Sequence, residues 1–198
     1  MQKTLALFDI DGTLTTADTM FAYARHAVGP ARFITSLIIL SPMLVLARLG
    51  LIDPGTAKGR MLRWMFRGRS RAQLEAAAQS FLVEVLPSLL RPAGIERLQR
   101  HRDDGHTVMF VSASLDLWLT PFAEQQGIPL LCTPTEWSGD HFTGLAGPNC
   151  RGPEKVRRVQ AQVNPSEYAV IAAYGDSSGD TELLALATEP HFKPFRGN

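Results

Sequence analysis

Two aspartates two residues apart, Asp9 and Asp11, close the apolar run Leu5-Ala6-Leu7-Phe8 and lead into Gly12-Thr13-Leu14. The run reads as a short buried strand, and Gly12 as the residue that lets the backbone turn away. Strand alternation aims the two carboxylates the same way. Held 4 Å apart they repel by about 4 kcal/mol at an effective dielectric near 20. A pair like this is retained where a cation or a reaction needs it, and a plain surface turn does not account for Asp-x-Asp-Gly-Thr after a buried strand.

Three further groups of polar residues follow apolar runs. Ser112, in Val108-Met109-Phe110-Val111-Ser112-Ala113-Ser114, stands before a helix expected from Leu115. Its hydroxyl and the amides of a helix start can hold an anion, although a serine there is equally an N-cap. Lys155 lies in the first turn of a helix expected after Gly152-Pro153, where a cation opposes the helix dipole. That placement makes sense when the ammonium faces an anion. Asp176 and Asp180 stand four apart in Tyr174-Gly175-Asp176-Ser177-Ser178-Gly179-Asp180, after another apolar run, so both can face one crevice.

The elements that position these groups alternate. Strand-like runs occupy 4–8, 107–111, 129–132 and 169–174, with helical stretches near 92–102, 115–126, 153–162 and 179–187. Such alternation predicts an α/β, Rossmann-like, doubly wound parallel sheet, with its crevice outside the carboxyl ends of the strands. The segment from 15 to 87 breaks the pattern. It reads as four helices (18–28, 31–49, 55–67 and 71–86) separated by Gly29-Pro30, Asp53-Pro54-Gly55 and Gly68-Arg69-Ser70. The expected organisation is a discontinuous core, 1–14 plus 88–198, interrupted by an all-helical cap at 15–87 that hangs over Asp9 and Asp11 as a lid. Trp137–Gly144 reads as a small hairpin at the rim of the crevice.

With 198 residues, 45% hydrophobic and 20% charged, the chain has the composition of one soluble globular unit. A net charge of +1 gives no global attraction to nucleic acid. The charge is uneven, however: Leu14–Leu90 holds nine Lys/Arg against four Asp/Glu. Cys132 and Cys150 do not make a disulfide framework and are expected as free thiols in a reducing cytoplasm. The opening Met1-Gln2-Lys3 and its short apolar run are not expected to be a signal peptide. The five histidines show no ligand spacing.

In this order, the Asp9–Leu14 motif, Ser112, Lys155 and the Asp176/Asp180 pair resemble the haloacid dehalogenase superfamily. The likeness is to its phosphoserine-phosphatase-like group, which carries a helical cap between the first two motifs. It implies an enzyme that hydrolyses a phosphate monoester with Mg2+. Asp9 would be the nucleophile that becomes an aspartyl phosphate, and Asp11 the general acid and then base. The Asp9 carboxylate, the Asp11 carbonyl and Asp176 would hold Mg2+, with Asp180 in support. Thr13, Ser112 and the Ala113 amide would contact the phosphate, with Lys155 neutralising its charge. The carboxylate at Asp11 further implies a phosphate ester, whose leaving alcohol needs a proton. Phosphotransfer to an acceptor alcohol is an alternative; a non-catalytic scaffold gives no reason to keep Asp11 and Lys155 together.

Substrate choice falls to the insert. Asp18 stands where phosphoserine phosphatases place a substrate-binding acid, and equally where a helix N-cap belongs. Lys58, Arg60, Arg63, Arg67, Arg69 and Arg71 form a run without an acid; Arg60 is expected nearest the crevice, and the rest form a solvated face or attract an anionic substrate or membrane. The stretch 33–52 carries no charge until Arg48. Its length permits a membrane span, but Thr35, Ser36, Ser41 and Pro42 weaken that reading. A buried or homodimer surface is favoured over peripheral contact through 33–52 and 58–71 at the inner membrane face. The apolar helix followed by a basic one, Cys150–Val156 and Lys193–Gly197 are also similar to the phosphatidylglycerophosphatase C type branch. A small soluble ester, such as a phosphoserine-like or histidinol-phosphate-like one, and a glycerophosphate lipid therefore both stand as substrates.

Overall fold

The computed structural model describes residues 3–196, so Gly197 of the terminal likeness lies outside the described residues. The chain begins with β1 (Thr4–Phe8), then α1 (Thr19–Val28), α2 (Pro30–Arg48), α3 (Pro54–Phe66), α4 (Arg71–Glu84), a short α5 (Leu86–Leu89) and α6 (Pro92–Asp103). It continues through β2 (Thr107–Leu115), α7 (Asp116–Gln126), β3 (Leu130–Thr133), the hairpin β4 (Thr135–Ser138) and β5 (His141–Leu145), and α8 (Pro153–Gln162). It closes with β6 (Val170–Gly175), α9 (Thr181–Leu186) and β7 (Glu189–Phe192).

Five strands form one parallel sheet in the order β3-β2-β1-β6-β7. The chain winds outward from β1 through β2 to β3, then returns to place β6 on the other side of β1. The topological switch therefore lies between β1 and β6, where α/β sheets bind ligands. Asp9 follows β1 and Asp176 follows β6, so the winding brings them to one crevice. β7 was not expected from the sequence. Its residues, Glu-Pro-His-Phe, lack an apolar run because it is an edge strand, the position where Pro190 is tolerated.

Alternation along the central strands feeds two cores. Ala6, Phe8, Val108, Phe110, Ala172 and Tyr174 face one side of the sheet; Leu5, Leu7, Met109, Val111, Ile171 and Ala173 face the other, against Val159 and Leu183. The first side is continuous with the helical insert, since Tyr23, Met61, Met65, Phe66 and Phe81 belong to the same buried cluster. Tyr23 stacks on Trp118 of α7 with ring centroids 5.0 Å apart, and its hydroxyl donates to the Leu74 carbonyl at 2.8 Å. Each buried aromatic of this kind contributes roughly 1.5–3 kcal/mol by burial. The insert thus shares its packing with the sheet.

Asp18, Asp53 and Ser70 cap α1, α3 and α4 as their residue types predict, the last through a capping box with Gln73. α2 is buried on one side only, which departs from the expectation of a buried helix. Phe33, Leu37, Leu40, Met43 and Leu44 pack inward, but Ile34, Ile38, Ile39, Val45 and Leu46 stand exposed. The helix is apolar all round, and a lone insert helix has protein on one side only.

His101 of α6 is buried beneath β6, with Nε2 2.8 Å from the Tyr174 hydroxyl and Nδ1 2.8 Å from Nδ1 of His106. One of those two facing nitrogens must carry the proton. Burial, then the neighbouring His106, hold the His101 pKa down to about 4. The folded state therefore binds this proton less readily than the unfolded chain. Its stabilising effect is complete above pH ~6.5 and is lost as pH falls toward 4. We expect urea unfolding to show stability falling over that window, and His101→Asn to flatten the fall while lowering stability at neutral pH.

Candidate active site

Four loops at the carboxyl ends of the strands meet in an open cleft of about 810 Å3. β1 delivers Asp9 and Asp11, β2 Ala113 and Ser114, the start of α8 Lys155, and the turn after β6 Asp176 and Asp180. The insert forms the facing wall with Met20, Phe21, Leu44, Ala47, Lys58 and Met61.

Asp9 is only 5% exposed. Its Oδ2 accepts the Thr13 hydroxyl at 2.8 Å and its Oδ1 the Lys155 ammonium at 2.7 Å. Lys155, 2% exposed, donates also to Oδ1 of Asp180 at 2.6 Å. The other Asp180 oxygen accepts the Asp176 and Ser177 amides and the Ser177 hydroxyl. Burial pushes the Asp9 pKa up, to about 7, against the pull of Lys155 and with help from Asp180 and Asp11. Burial works against the charge on Lys155, but Asp9 and Asp180 more than offset it and hold its pKa above the ordinary value. Burial likewise opposes ionisation of Asp180, yet Lys155 and the two amides keep it below the usual carboxylate range.

Two glycines make this geometry feasible. Gly12 has φ +76°, and a Cβ there would run into the Asp176 carboxylate. A Cβ on Gly175 would lie 2.6 Å from that of Asp180. Ligand oxygens of Asp9, Asp176 and Asp180 lie within 4.8 Å of one another. A tight, hard, all-oxygen donor set of this kind fits Mg2+. Asp180 is the most committed of the three, to Lys155, two amides and the Ser177 hydroxyl, whereas Asp9 accepts Thr13 and Lys155 and Asp176 accepts Arg196 alone, so the fit is best at Asp9 and Asp176.

Asp11 is held differently. Oδ1 accepts the backbone N–H of Thr19 at 2.6 Å, at the start of α1, and Oδ2 accepts the Ser114 hydroxyl at 2.6 Å. The Thr19 hydroxyl in turn accepts the Trp118 indole N–H at 3.0 Å and donates to Ser114 at 3.3 Å. The Asp11 carboxylate thus turns toward the insert and stands outside the three-carboxylate group, which leaves its side chain out of the ligand set.

Other expectations need correction. Thr13 is 1% exposed and spends its hydroxyl on Asp9, so it positions that carboxylate and does not line the cleft. Ser112 is wholly buried because β2 runs on to Leu115; its hydroxyl accepts the Ser114 amide and lies 3.4 Å from Asp11. Ser114, two residues on and on the same strand face, reaches the cleft instead. Ala113 does line the cleft, and its carbonyl accepts Lys58 Nζ at 2.5 Å. Arg60 is exposed and borders a separate hollow against the β4–β5 hairpin, away from Asp9. Lys58 is the cation that the insert brings into the cleft. Burial lowers its pKa, with Asp11 and Asp18 working the other way. The helical period carried that signal: Lys58 shares a face with Met61, Leu62 and Met65, opposite Arg60 and Arg67. Asp18 both caps α1, accepting the Met20 amide at 2.8 Å, and borders the cleft. At the far rim Arg196, from the end of the chain, donates to Asp176 Oδ2 at 2.6 Å.

The thiols of Cys132 and Cys150 are free and buried. Burial pushes the Cys150 thiol up to about 11, so neither thiol's setting favours a nucleophile.

Residues 6–185 match the family model described as haloacid dehalogenase-like hydrolase. Protein CicA of Caulobacter vibrioides is 39% identical over 196 residues, which is 98% of this chain and 87% of that protein. A Bordetella pertussis Tohama I protein of unknown function superposes with a TM-score of 0.80 at 23% identity, covering 95% of this chain and 88% of the other. A phosphoserine phosphatase solved as a phospho-aspartyl intermediate analogue gives a TM-score of 0.60 at 18% identity, over 94% of this chain and 84% of the other.

Replacing Lys155 by Met leaves two carboxylates facing each other in a buried site. We expect a loss of about 3–5 kcal/mol in urea unfolding at pH 7, shrinking as the pH is lowered and the acids take up protons.

Proposed function

The chain belongs to the haloacid dehalogenase-like hydrolases, and from that premise we propose that it is a Mg2+-dependent phosphatase that hydrolyses a phosphate monoester through an aspartyl phosphate on Asp9. The observation that carries the reading is the division of labour between Asp9 and Asp11. One carboxylate is fixed beside a buried ammonium and two further acids. The other, two residues on, is turned to a serine hydroxyl and a helix N-terminus.

Each group has a role in that reaction. Thr13 and Lys155 fix the Asp9 carboxylate so that one oxygen is presented to phosphorus, the geometry an in-line displacement needs. Lys155 keeps a positive charge beside the equatorial oxygens as negative charge spreads over them. Asp11, seated on Ser114 and Thr19, gives its proton to the leaving oxygen and later takes one from the water that attacks the aspartyl phosphate. Lys58 is the insert's group placed to meet a phosphate, while Ser114, its proton given to Asp11, holds that carboxylate. Mg2+ held by Asp9 and Asp176 would neutralise the approaching dianion and polarise its oxygens. The acid at Asp18 and the apolar wall of Met20, Phe21, Leu44 and Met61 would set which alcohol is accepted.

Purified protein should release orthophosphate from p-nitrophenyl phosphate with Mg2+, lose that activity in chelator and regain it when Mg2+ is restored. Asp9→Asn should cut turnover by at least about 10^3-fold. Borohydride quenching during turnover should convert Asp9 to homoserine, detected by mass spectrometry of the tryptic peptide. Metal-independent release, or full activity in Asp9→Asn, contradicts the assignment.

A further inference from the structure

From the bare face of α2 we propose that the insert docks on an anionic lipid bilayer, with α2 lying flat in the interface and α3 supplying cations beside it. Between 30 and 47 the helix has a mean hydropathy of 1.7, yet 6% of that window is buried. Ile34, Ile38, Val45 and Leu49 fall along one line of the helix, flanked by Ile39 and Leu46, and all six are exposed. Ile38 and Leu49 are each 68% exposed, and Leu51 beyond the helix end 71%. The other described exposed residues on that arc are Ala31, Thr35, Ser41 and Pro42, none of them charged. A contiguous apolar patch of this length on a soluble protein marks a surface with a partner.

The neighbouring helix says which partner. The Arg32 guanidinium donates to the carbonyls of Trp64 and Arg67, so the start of α2 is tied to the end of α3. The outward face of α3 carries Arg60, Arg63 and Arg67 with Trp64 among them, and no acid occurs between 58 and 71. Trp64 is 43% exposed. An apolar strip beside a strip of arginines with an exposed indole matches a lipid interface, where acyl chains meet anionic headgroups. A second copy docking with its two-fold axis across α2 and α3 would set identical arginine strips against each other, and with the axis along them would leave the strips without an acidic partner, since no acid lies between 58 and 71. A span is disfavoured too. The inner side of α2 is committed to α1 and α3 through Phe33, Leu37, Leu40 and Leu44, so one side alone can meet lipid.

The surface argument stands apart from the chemistry of the cleft. Its consequence rests on the phosphatase reading: Leu44 and Ala47 line the cleft, so docking sets the cleft mouth at the headgroup level.

The test is flotation of the whole chain with vesicles of phosphatidylcholine alone, or with about one third phosphatidylglycerol. We expect flotation with the anionic vesicles at low salt, loss of it at high salt, and a blue shift of the emission that Trp64→Phe removes. Ile34→Glu/Ile38→Glu and Arg63→Glu/Arg67→Glu should each weaken binding about tenfold or more. Circular dichroism and the thermal midpoint control for folding. Hydrolysis of p-nitrophenyl phosphate, measured separately, should be unchanged in both variants, so failure of the docking and failure of the phosphatase reading are distinguishable. Folded wild-type protein that ignores anionic vesicles overturns the proposal, as does equal flotation of the two variants. A concentration-dependent dimer in sedimentation, abolished by Ile34→Glu/Ile38→Glu without any vesicle binding, assigns the face to self-association and also overturns it.

Discussion

A single ammonium, that of Lys155, holds the centre of this molecule together. Asp9 and Asp180 are nearly sealed from water, and two such carboxylates can stay ionised at short range only with a cation between them. That requirement explains the features around it. α8 begins with Lys155 in its first turn, against the helix dipole, because the charge is consumed by the two acids and not by solvent. The Gly152 amide donates to the Gly179 carbonyl at 2.8 Å, which locks the start of α8 to the turn carrying Asp176 and Asp180. Gly175 lacks a side chain so that Asp180 can close over the strand end. Pairing of β1 with β6 brings their loops side by side; the ammonium is what lets the acids on those loops stand together.

The insert is bonded to the cleft acids as well as packed over them. The same first turn of α1 that packs under Trp118 supplies the amide that holds Asp11. The proposed acid is therefore shared property: its backbone belongs to the sheet and its orientation to the insert. Any rearrangement of α1 changes how tightly that carboxyl group is gripped, which couples the packing of Tyr23, Trp118 and Phe81 to the proton transfer proposed for it.

The sheet and most of the cleft were legible in the residues because their causes are local. An apolar run, a turn glycine and paired acids announce β1 and its site, and Lys155 stood out by being unfavourable where it was. What stayed hidden depends on tertiary placement. Choosing Ser114 over Ser112 requires knowing that β2 continues past the serine. Choosing Lys58 over Arg60 required the helical wheel of α3 to be read with its apolar side turned to the cleft. The edge strand β7 has no apolar signature, since half its surroundings are solvent. The outward face of α2 could not be told from a buried one because its composition is the same all round; the fold shows that within this chain one side alone is packed.

The contact between Arg196 and Asp176 has a practical bearing. The last described residue of the chain reaches into the rim of the cleft, while Lys3 lies at the opposite end of β1 with its carbonyl accepting the Ala169 amide. The two ends are thus unequal for protein engineering. A handle joined close behind Arg196 would start beside the cleft acids, whereas one joined ahead of Lys3 would start at the other end of β1.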